Sequence, residues 1–248
     1  MNNAIEVSSL YKTYSRPFVE ALRGIDLSIP RGQCIGILGP NGSGKTTLIE
    51  IMQGLRQPTS GHISVLGKSY KNQETEIRSS IGGVLQENGI WNRIHVKEIL
   101  QLFSSFYKNA IPLQNLIERF RLEKFLNRPL ATLSGGQRQN VFLAMAIVGD
   151  PELIFLDEPT TGLDPRIRRE FWNLISELKS EGRTIILTTH YLEEAEVLCD
   201  EVSIIKKGIL LASGTPEALS IATARRIPSG LPADLNEIYL AMTEDMDS

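Results

Sequence analysis

The chain is short of several things at once, and each shortage excludes a class of protein. Only two cysteines, Cys34 and Cys199, occur in 248 residues. They have neither metal-ligand nor redox spacing, so a disulfide framework and a zinc cage are excluded, and both thiols are expected to be reduced and structural. Long apolar runs are missing too: no stretch approaches the roughly 18 uninterrupted residues of a membrane helix. The opening residues, Met1 to Glu6, lack the basic and apolar regions of a secretory signal. The chain is therefore expected neither to span a membrane nor to leave the cytoplasm unaided. Nor does either sign of charge dominate, with 26 Lys and Arg against 29 Asp and Glu and a formal charge of −3. With a pI near 5.7 there is no electrostatic footprint for nucleic acid, and Arg225-Arg226 is too short a basic run to supply one. No internal repeat or low-complexity tract is visible. What remains, 42% apolar residues, suffices for one large core or a core with lobes.

Against this plain background one segment carries chemistry. Gly39-Pro40-Asn41-Gly42-Ser43-Gly44-Lys45-Thr46 fits the phosphate-binding pattern G-x-x-x-x-G-K-[ST]. A short apolar strand, Ile35 to Leu38, precedes it, and a helix is expected over Thr47 to Met52, which is the context the motif requires. Glycines let the backbone turn tightly, so that successive N–H groups point at phosphate oxygens beside a helix N-terminus. Lys45 is placed to reach the β- and γ-phosphates, Thr46 to ligate Mg²⁺, and Thr47 to add a contact nearer the α-phosphate. The plainer reading, a glycine-rich turn, is disfavoured by the strand before and the helix after.

A second segment, Leu153-Ile154-Phe155-Leu156-Asp157-Glu158, is too short for most helices and ends abruptly in two acids, which reads as a buried parallel strand. A carboxylate at the C-terminal end of such a strand lies beside the loop, which suits Asp157 to Mg²⁺ through water and Glu158 to the attacking water. Alone, the two acids would read as a turn or a helix N-cap before Pro159. The phosphate loop tips the balance.

Downstream of the loop stands Leu133-Ser134-Gly135-Gly136-Gln137, which on its own is a helix start with Ser134 as N-cap. With these three segments in this order the chain resembles the nucleotide-binding domain of ATP-binding cassette (ABC) transporters, from about Ile5 to about Leu219. The resemblance implies an α/β P-loop NTPase fold: a RecA-like core, an antiparallel β lobe, and an inserted α-helical signature subdomain at about 88–148, followed by a short C-terminal tail at 220–248. It implies that Ser134, Gly135, Gly136 and Gln137 face the γ-phosphate held by a second cassette. Gln86 matches the Q-loop glutamine that approaches Mg²⁺ and the water. Gly162-Leu163-Asp164 resembles the D-loop, and His190 the switch histidine that contacts the γ-phosphate. Tyr14 matches the aromatic that stacks on adenine, with Tyr11 as the alternative. His62 and His95 have no such context. Asn140 departs from the family pattern, where a basic residue commonly follows the signature.

Alternating Ile5-Val7 and Ile25-Leu27-Ile29, with Ile63-Val65, predict the antiparallel lobe. A helical stretch is expected from Val96 to Leu126. The stripe of Leu102, Phe103, Phe106 and Tyr107 is read chiefly as core, and Trp91 as the better interface candidate. Pro165 to Ser180 predicts a helix stopped by Gly182 before a strand at Thr184 to Thr189, and a hairpin is expected around Lys206-Lys207-Gly208. After Pro216 the pattern weakens.

The resemblance further implies an ATPase using ATP and Mg²⁺ that works as a dimer, because only one loop and one signature occur. It would be bound peripherally to the cytoplasmic face of the membrane through a separately encoded permease. The segments Thr188 to Glu196 and Asp157 to Pro165 look like cassettes of drug and antibiotic exporters. An importer cassette and a soluble, non-transport ABC ATPase are the alternatives.

Overall fold

The computed structural model describes residues 3–84, 93–223 and 235–243. The chain opens with β1 (Asn3–Ser15) and β2 (Phe18–Pro30), then β3 (Cys34–Leu38), α1 (Lys45–Met52), β4 (Ser60–Val65), α2 (Tyr70–Ser80) and β5 (Ile81–Val84). A helical stretch follows with α3 (Val96–Ser104), α4 (Leu113–Arg119) and α5 (Gly135–Ile147). The chain then alternates through β6 (Leu153–Asp157), α6 (Pro165–Ser180), β7 (Thr184–Thr189), α7 (Leu192–Leu198), β8 (Glu201–Lys206) and β9 (Ile209–Gly214), and closes with α8 (Pro216–Thr223) and α9 (Leu235–Thr243).

Two sheets result. A three-stranded antiparallel sheet has the order β2-β1-β4, and a six-stranded sheet has the order β5-β6-β7-β3-β8-β9. The larger sheet is parallel except for β9, which returns antiparallel to β8 through Lys207 and Gly208. Both turn residues have positive φ, 49° and 76°, so the right-handed twist of the two strands is matched by a tight turn.

Side-chain alternation divides each central strand between two cores. Ile35, Ile37, Leu153, Phe155, Ile186 and Ile205 face the antiparallel lobe and the α1 side. Cys34, Leu38, Ile154, Leu156, Ile185 and Leu187 face the other way, into the core formed with α3 to α7. Burial on both faces is why these strands read as continuous apolar runs rather than as alternating ones. Cys34 and Cys199 are unbridged neighbours, with Sγ atoms 3.9 Å apart.

Three expectations change in detail. The stretch from Val96 to Leu126 is not one helix: α3 stops at Ser104, α4 starts after Pro112, and a single 3₁₀ turn covers Glu123–Phe125. α3 closes at its C-cap, Ser105, and Pro112 stands as the N-cap of α4, a position that tolerates its missing N–H. Arg121, at φ 55°, ends α4 in a left-handed turn. Within the aromatic stripe Phe103 and Tyr107 pack on the core, whereas Phe106 is 67% exposed. Beyond Pro216 the chain is helical in two places, and Leu219, Leu235 and Ile238 are buried in the larger core. The backbone N–H of Leu235 donates to Glu196 on α7, which ties α9 to the helix that follows His190.

Candidate functional site

The functional residues gather where β3, β6 and β7 end. These strands are parallel neighbours, with Leu38 paired to Thr189 and Asp157 to Thr188, so their C-terminal ends present the loop, the two acids and His190 along one edge. Open parallel sheets place their ligands at this edge.

The loop from Gly39 to Gly44 is shaped by close approach. A Cβ on Gly39 would lie 2.2 Å from the Ile205 carbonyl, and one on Gly44, at φ 109°, would lie 2.5 Å from the Ala21 carbonyl. Ser43 is fixed through its backbone, donating from N–H to the Pro40 carbonyl and accepting at its carbonyl from Gly208. Its side-chain Oγ is buried with no hydrogen-bond partner among the described residues. Gly44 is the N-cap of α1 and provides no side-chain cap, so the helix keeps its N-terminal donors for another acceptor. A polyphosphate fits these features: an orphaned hydroxyl, an uncapped helix N-terminus and a cradle that a side chain would fill.

Lys45 is buried and donates from Nζ to the carbonyls of Gly39 and Pro40, at 2.8 and 3.2 Å. Burial lowers its pKa from the ordinary value, against the pull of Glu158 and Asp157, which raises it. Asp157, at the tip of β6, accepts from the Thr188 hydroxyl. Burial pushes its pKa up. Hydrogen bonds from Thr188 and Thr46 oppose that shift, Glu158 adds to it, and Lys45 counters it. Thr46 and Asp157 thus bring two hard oxygen donors together. Such a pair suits Mg²⁺, which takes one or two protein oxygens and completes its shell with water and substrate phosphate.

Glu158 has φ 47°, an uncommon conformation for a residue other than glycine and one found where a site over-determines the backbone. Its N–H donates to Thr188 Oγ1 at 2.9 Å. Its Oε2 accepts from the Thr161 hydroxyl at 3.3 Å and lies 3.4 Å from His190 Nδ1. His190 packs against Tyr191, with ring centroids 4.1 Å apart, and the Arg168 guanidinium covers the Tyr191 ring at 4.3 Å.

Tyr14 and Tyr11 are placed differently. Tyr14 Oη lies 3.3 Å from Thr47 Oγ1 on α1, and its ring is approached by Lys12 and Arg56 at 5.3 and 5.2 Å. Tyr11 instead lies against Gly24, where a Cβ would be 2.7 Å from its hydroxyl.

Ser134 caps α5 through a reciprocal pair: its Oγ accepts from Gln137 N–H, and Gln137 Oε1 accepts from Ser134 N–H. The two glycines pack on the start of α6. A Cβ on Gly135 would touch Leu163 at 3.3 Å, and one on Gly136 would meet Ile167 Cγ2 at 2.2 Å. Asp164 caps α6 at the N–H groups of Arg166 and Ile167. Gln86 and the interface candidate Trp91 lie outside the described residues.

Sequence reasoning missed Thr188, which holds both Asp157 and Glu158. Its only signal is a threonine near a strand end, and the register with β6 that gives it a role belongs to the fold. Arg56 was missed for the same reason, since it reaches Tyr14 across the lobe.

A parallel sheet with a glycine loop leading from β3 into a helix, and two acids at the end of β6 on the far side of β7, defines a P-loop nucleoside triphosphatase. The ABC transporter family profile matches residues 22–161. A Nod factor export ATP-binding protein I of Rhizobium sp. (strain N33) is 38% identical over 223 residues, covering 87% of this chain and 72% of that protein. A solved ATP-binding subunit of an ABC transporter superposes with a TM-score of 0.85 at 29% identity, over 97% of this chain and 99% of its own. A dimeric ABC cassette in a post-hydrolysis state with ADP and Pi has a TM-score of 0.75 at 26% identity, over 85% and 98% of the two chains. The chain belongs to the ABC transporter family as an ATP-binding subunit, and it is an ATPase.

Proposed function

We propose that the chain is the energy-coupling subunit of an exporter, hydrolysing ATP between two copies of itself beneath a separately encoded membrane permease. The observation that carries the dimeric part is the division of the phosphate site. Lys45, Asp157, Glu158 and His190 converge at one sheet edge, whereas Ser134 to Gln137 are engaged with one another and with α6. In this reading the start of the signature helix, Ser134, Gly135, Gly136 and Gln137, meets the phosphate held by a partner copy. The similar cassette that is dimeric with ADP and Pi bound supports a dimer.

In each half, Gly39 to Thr46 wrap the β- and γ-phosphates. Lys45 leaves the loop carbonyls to pair with phosphate oxygen, and Tyr14 stacks on adenine. Thr46 and Asp157, with Gln86, would hold Mg²⁺, which when bound neutralises phosphate charge. Glu158 takes the proton from the attacking water, and His190 contacts the γ-phosphate and orients Glu158 across their 3.4 Å contact. Loss of the γ-phosphate removes the charge that bridges the two chains, so they part and move the permease.

The export direction is supported by the Nod factor export names of the relatives. Among the described residues no helix is long and apolar enough to cross a membrane, and the proposed permease would hold the chain at the cytoplasmic face. The test is to purify tagged Glu158→Gln chain from its native membranes with Mg-ATP and identify its partners by mass spectrometry. A multi-spanning permease is the expected copurifying partner, and that permease reconstituted with the wild-type chain is expected to drive ATP-dependent export. A soluble partner, or a permease that loads substrate inward, overturns the exporter reading.

A further inference from the structure

Glu194 is fully buried and belongs to neither the phosphate loop nor the signature. It sits in the first turn of α7, four residues beyond His190. Its Oε1 accepts two hydrogen bonds, from Thr160 Oγ1 at 2.8 Å and from Trp172 Nε1 at 2.9 Å. Thr160 is itself fully buried, two residues beyond Glu158, in a turn closed by Thr161 N–H to the Glu158 carbonyl and Leu163 N–H to the Thr160 carbonyl. Trp172 lies two turns into α6, the helix that Asp164 caps. One carboxylate oxygen therefore joins the Glu158 turn, the helix after Asp164 and the helix after His190.

The same two segments meet twice. At the surface of the site Glu158 Oε2 and His190 Nδ1 are 3.4 Å apart. Below it Thr160 and Glu194 close the ring from the buried side. A buried carboxylate is a costly way to join three elements that apolar packing could join, and Glu194 Oε2 has no hydrogen-bond partner among the described residues. Fixing a register is the best-attested reason to keep such a group. We propose that Glu194 is a positioning residue for ATP hydrolysis: through Thr160 and Trp172 it holds the Glu158 turn and His190 at the spacing the reaction needs.

This inference rests on the assignment of Glu158 and His190 to the hydrolytic centre. The side-chain hydrogen bonds of Glu194 go to Thr160 and Trp172 and not to the loop proposed to grip the phosphates, so its loss is expected to act on turnover rather than on nucleotide capture. Displacements on the order of 1 Å at reacting groups can cost about 100-fold in rate. The experiment is steady-state ATPase kinetics of the full chain, with melting temperature and ATP dissociation constant measured alongside. Glu194→Ala is expected to lower kcat at least about tenfold with KM for ATP within about twofold of wild type. Glu194→Gln, which keeps an acceptor oxygen for both donors, is expected to restore kcat to within about threefold. Thr160→Val keeps the shape and removes only the hydroxyl; it is expected to lower kcat with little change in melting temperature, and it decides the matter if Glu194→Ala does not fold.

Wild-type kcat in Thr160→Val, or a loss in Glu194→Gln equal to that in Glu194→Ala, overturns the positioning role. So does a fall in activity that simply tracks the folded fraction. Undiminished turnover in Glu158→Gln would instead overturn the hydrolytic centre itself, a separate failure.

Discussion

Lys45 Nζ stands 3.8 Å from Glu158 Oε1, with the two side chains only 5% and 9% exposed. The cation proposed to bind phosphate and the acid proposed to activate water thus face each other across the site before any phosphate charge is counted. At 3.8 Å, and with Lys45 already serving two loop carbonyls, the pair is a loose one. A γ-phosphate can enter between them, draw Lys45 away and leave Glu158 to the water.

Lys45→Ala removes the only buried cation of the loop. Turnover is expected to fall by at least about 100-fold, as when a donor to developing charge is lost. Phosphate-release kinetics and nucleotide titration check this, and undiminished ATPase activity would remove the loop from its role.

Glu158→Gln keeps the side chain's shape and loses the base. A fall in kcat of about 100-fold to 10⁴-fold is expected, with ATP affinity preserved. Single-turnover hydrolysis measures it directly.

Tyr14→Ala should raise KM for ATP roughly tenfold while leaving kcat nearly unchanged, since base stacking is worth about 1–3 kcal/mol and about 1.4 kcal/mol is tenfold in affinity. Tyr14→Trp should keep the wild-type KM. If Tyr11→Ala rather than Tyr14→Ala raises KM, the stacking residue is Tyr11.

Asp157→Asn should separate stability from activity. Burial raises the Asp157 pKa above the ordinary 3.8. A carboxyl raised in the folded state contributes its stability below the unfolded value near 3.8, and that contribution is lost as pH rises through the folded value. At neutral pH the ionised, buried carboxylate is therefore a cost, and the neutral amide, still an acceptor for Thr188 and Thr46, relieves it. The melting temperature of the protein without nucleotide is expected to rise, by about 2–4 °C for each kcal/mol relieved, and the gain to shrink as pH falls toward 3.8. ATPase activity is expected to be lost at every pH. A melting temperature that falls at neutral pH would contradict the sign of the shift.

Gly136→Ala drives a methyl to 2.2 Å from Ile167 Cγ2. Alanine's better helix propensity, about 1 kcal/mol, is set against overpacking of typically about 1–3 kcal/mol beside a stiff β-branched chain. The net expectation is a lower melting temperature and weaker hydrolysis, with Gly136→Ala/Ile167→Ala recovering the stability. Calorimetry of both variants checks it.

Much of this arrangement was legible because each motif carries its own local geometry. The loop from Gly39 to Thr46 needs only its glycines and a following helix, and Ser134 with Gln137 spells out its own cap. The strands Leu153–Asp157 and Thr184–Thr189 announce themselves as short apolar runs, because both faces are buried. What stayed hidden depends on parallel pairing across long sequence separations. Thr188 acquires a role only when β7 lies beside β6, and Glu194 only when α7 meets α6 and the turn at Thr160. The break of Val96 to Leu126 into shorter helices falls at Ser105, ahead of Pro112, which only starts the next helix, and the apolar periodicity masked it. The helix Leu235–Thr243 has few core anchors, too few to stand out in a segment rich in turn residues.

The central claim, an ATP site completed by the signature of a second copy, is tested most directly by sedimentation equilibrium of the Glu158→Gln chain with Mg-ATP, with ADP and without nucleotide. The account predicts twice the 27.6 kDa chain mass with Mg-ATP only, lost again when Ser134 is replaced by Arg. A species of single-chain mass at saturating Mg-ATP would contradict it.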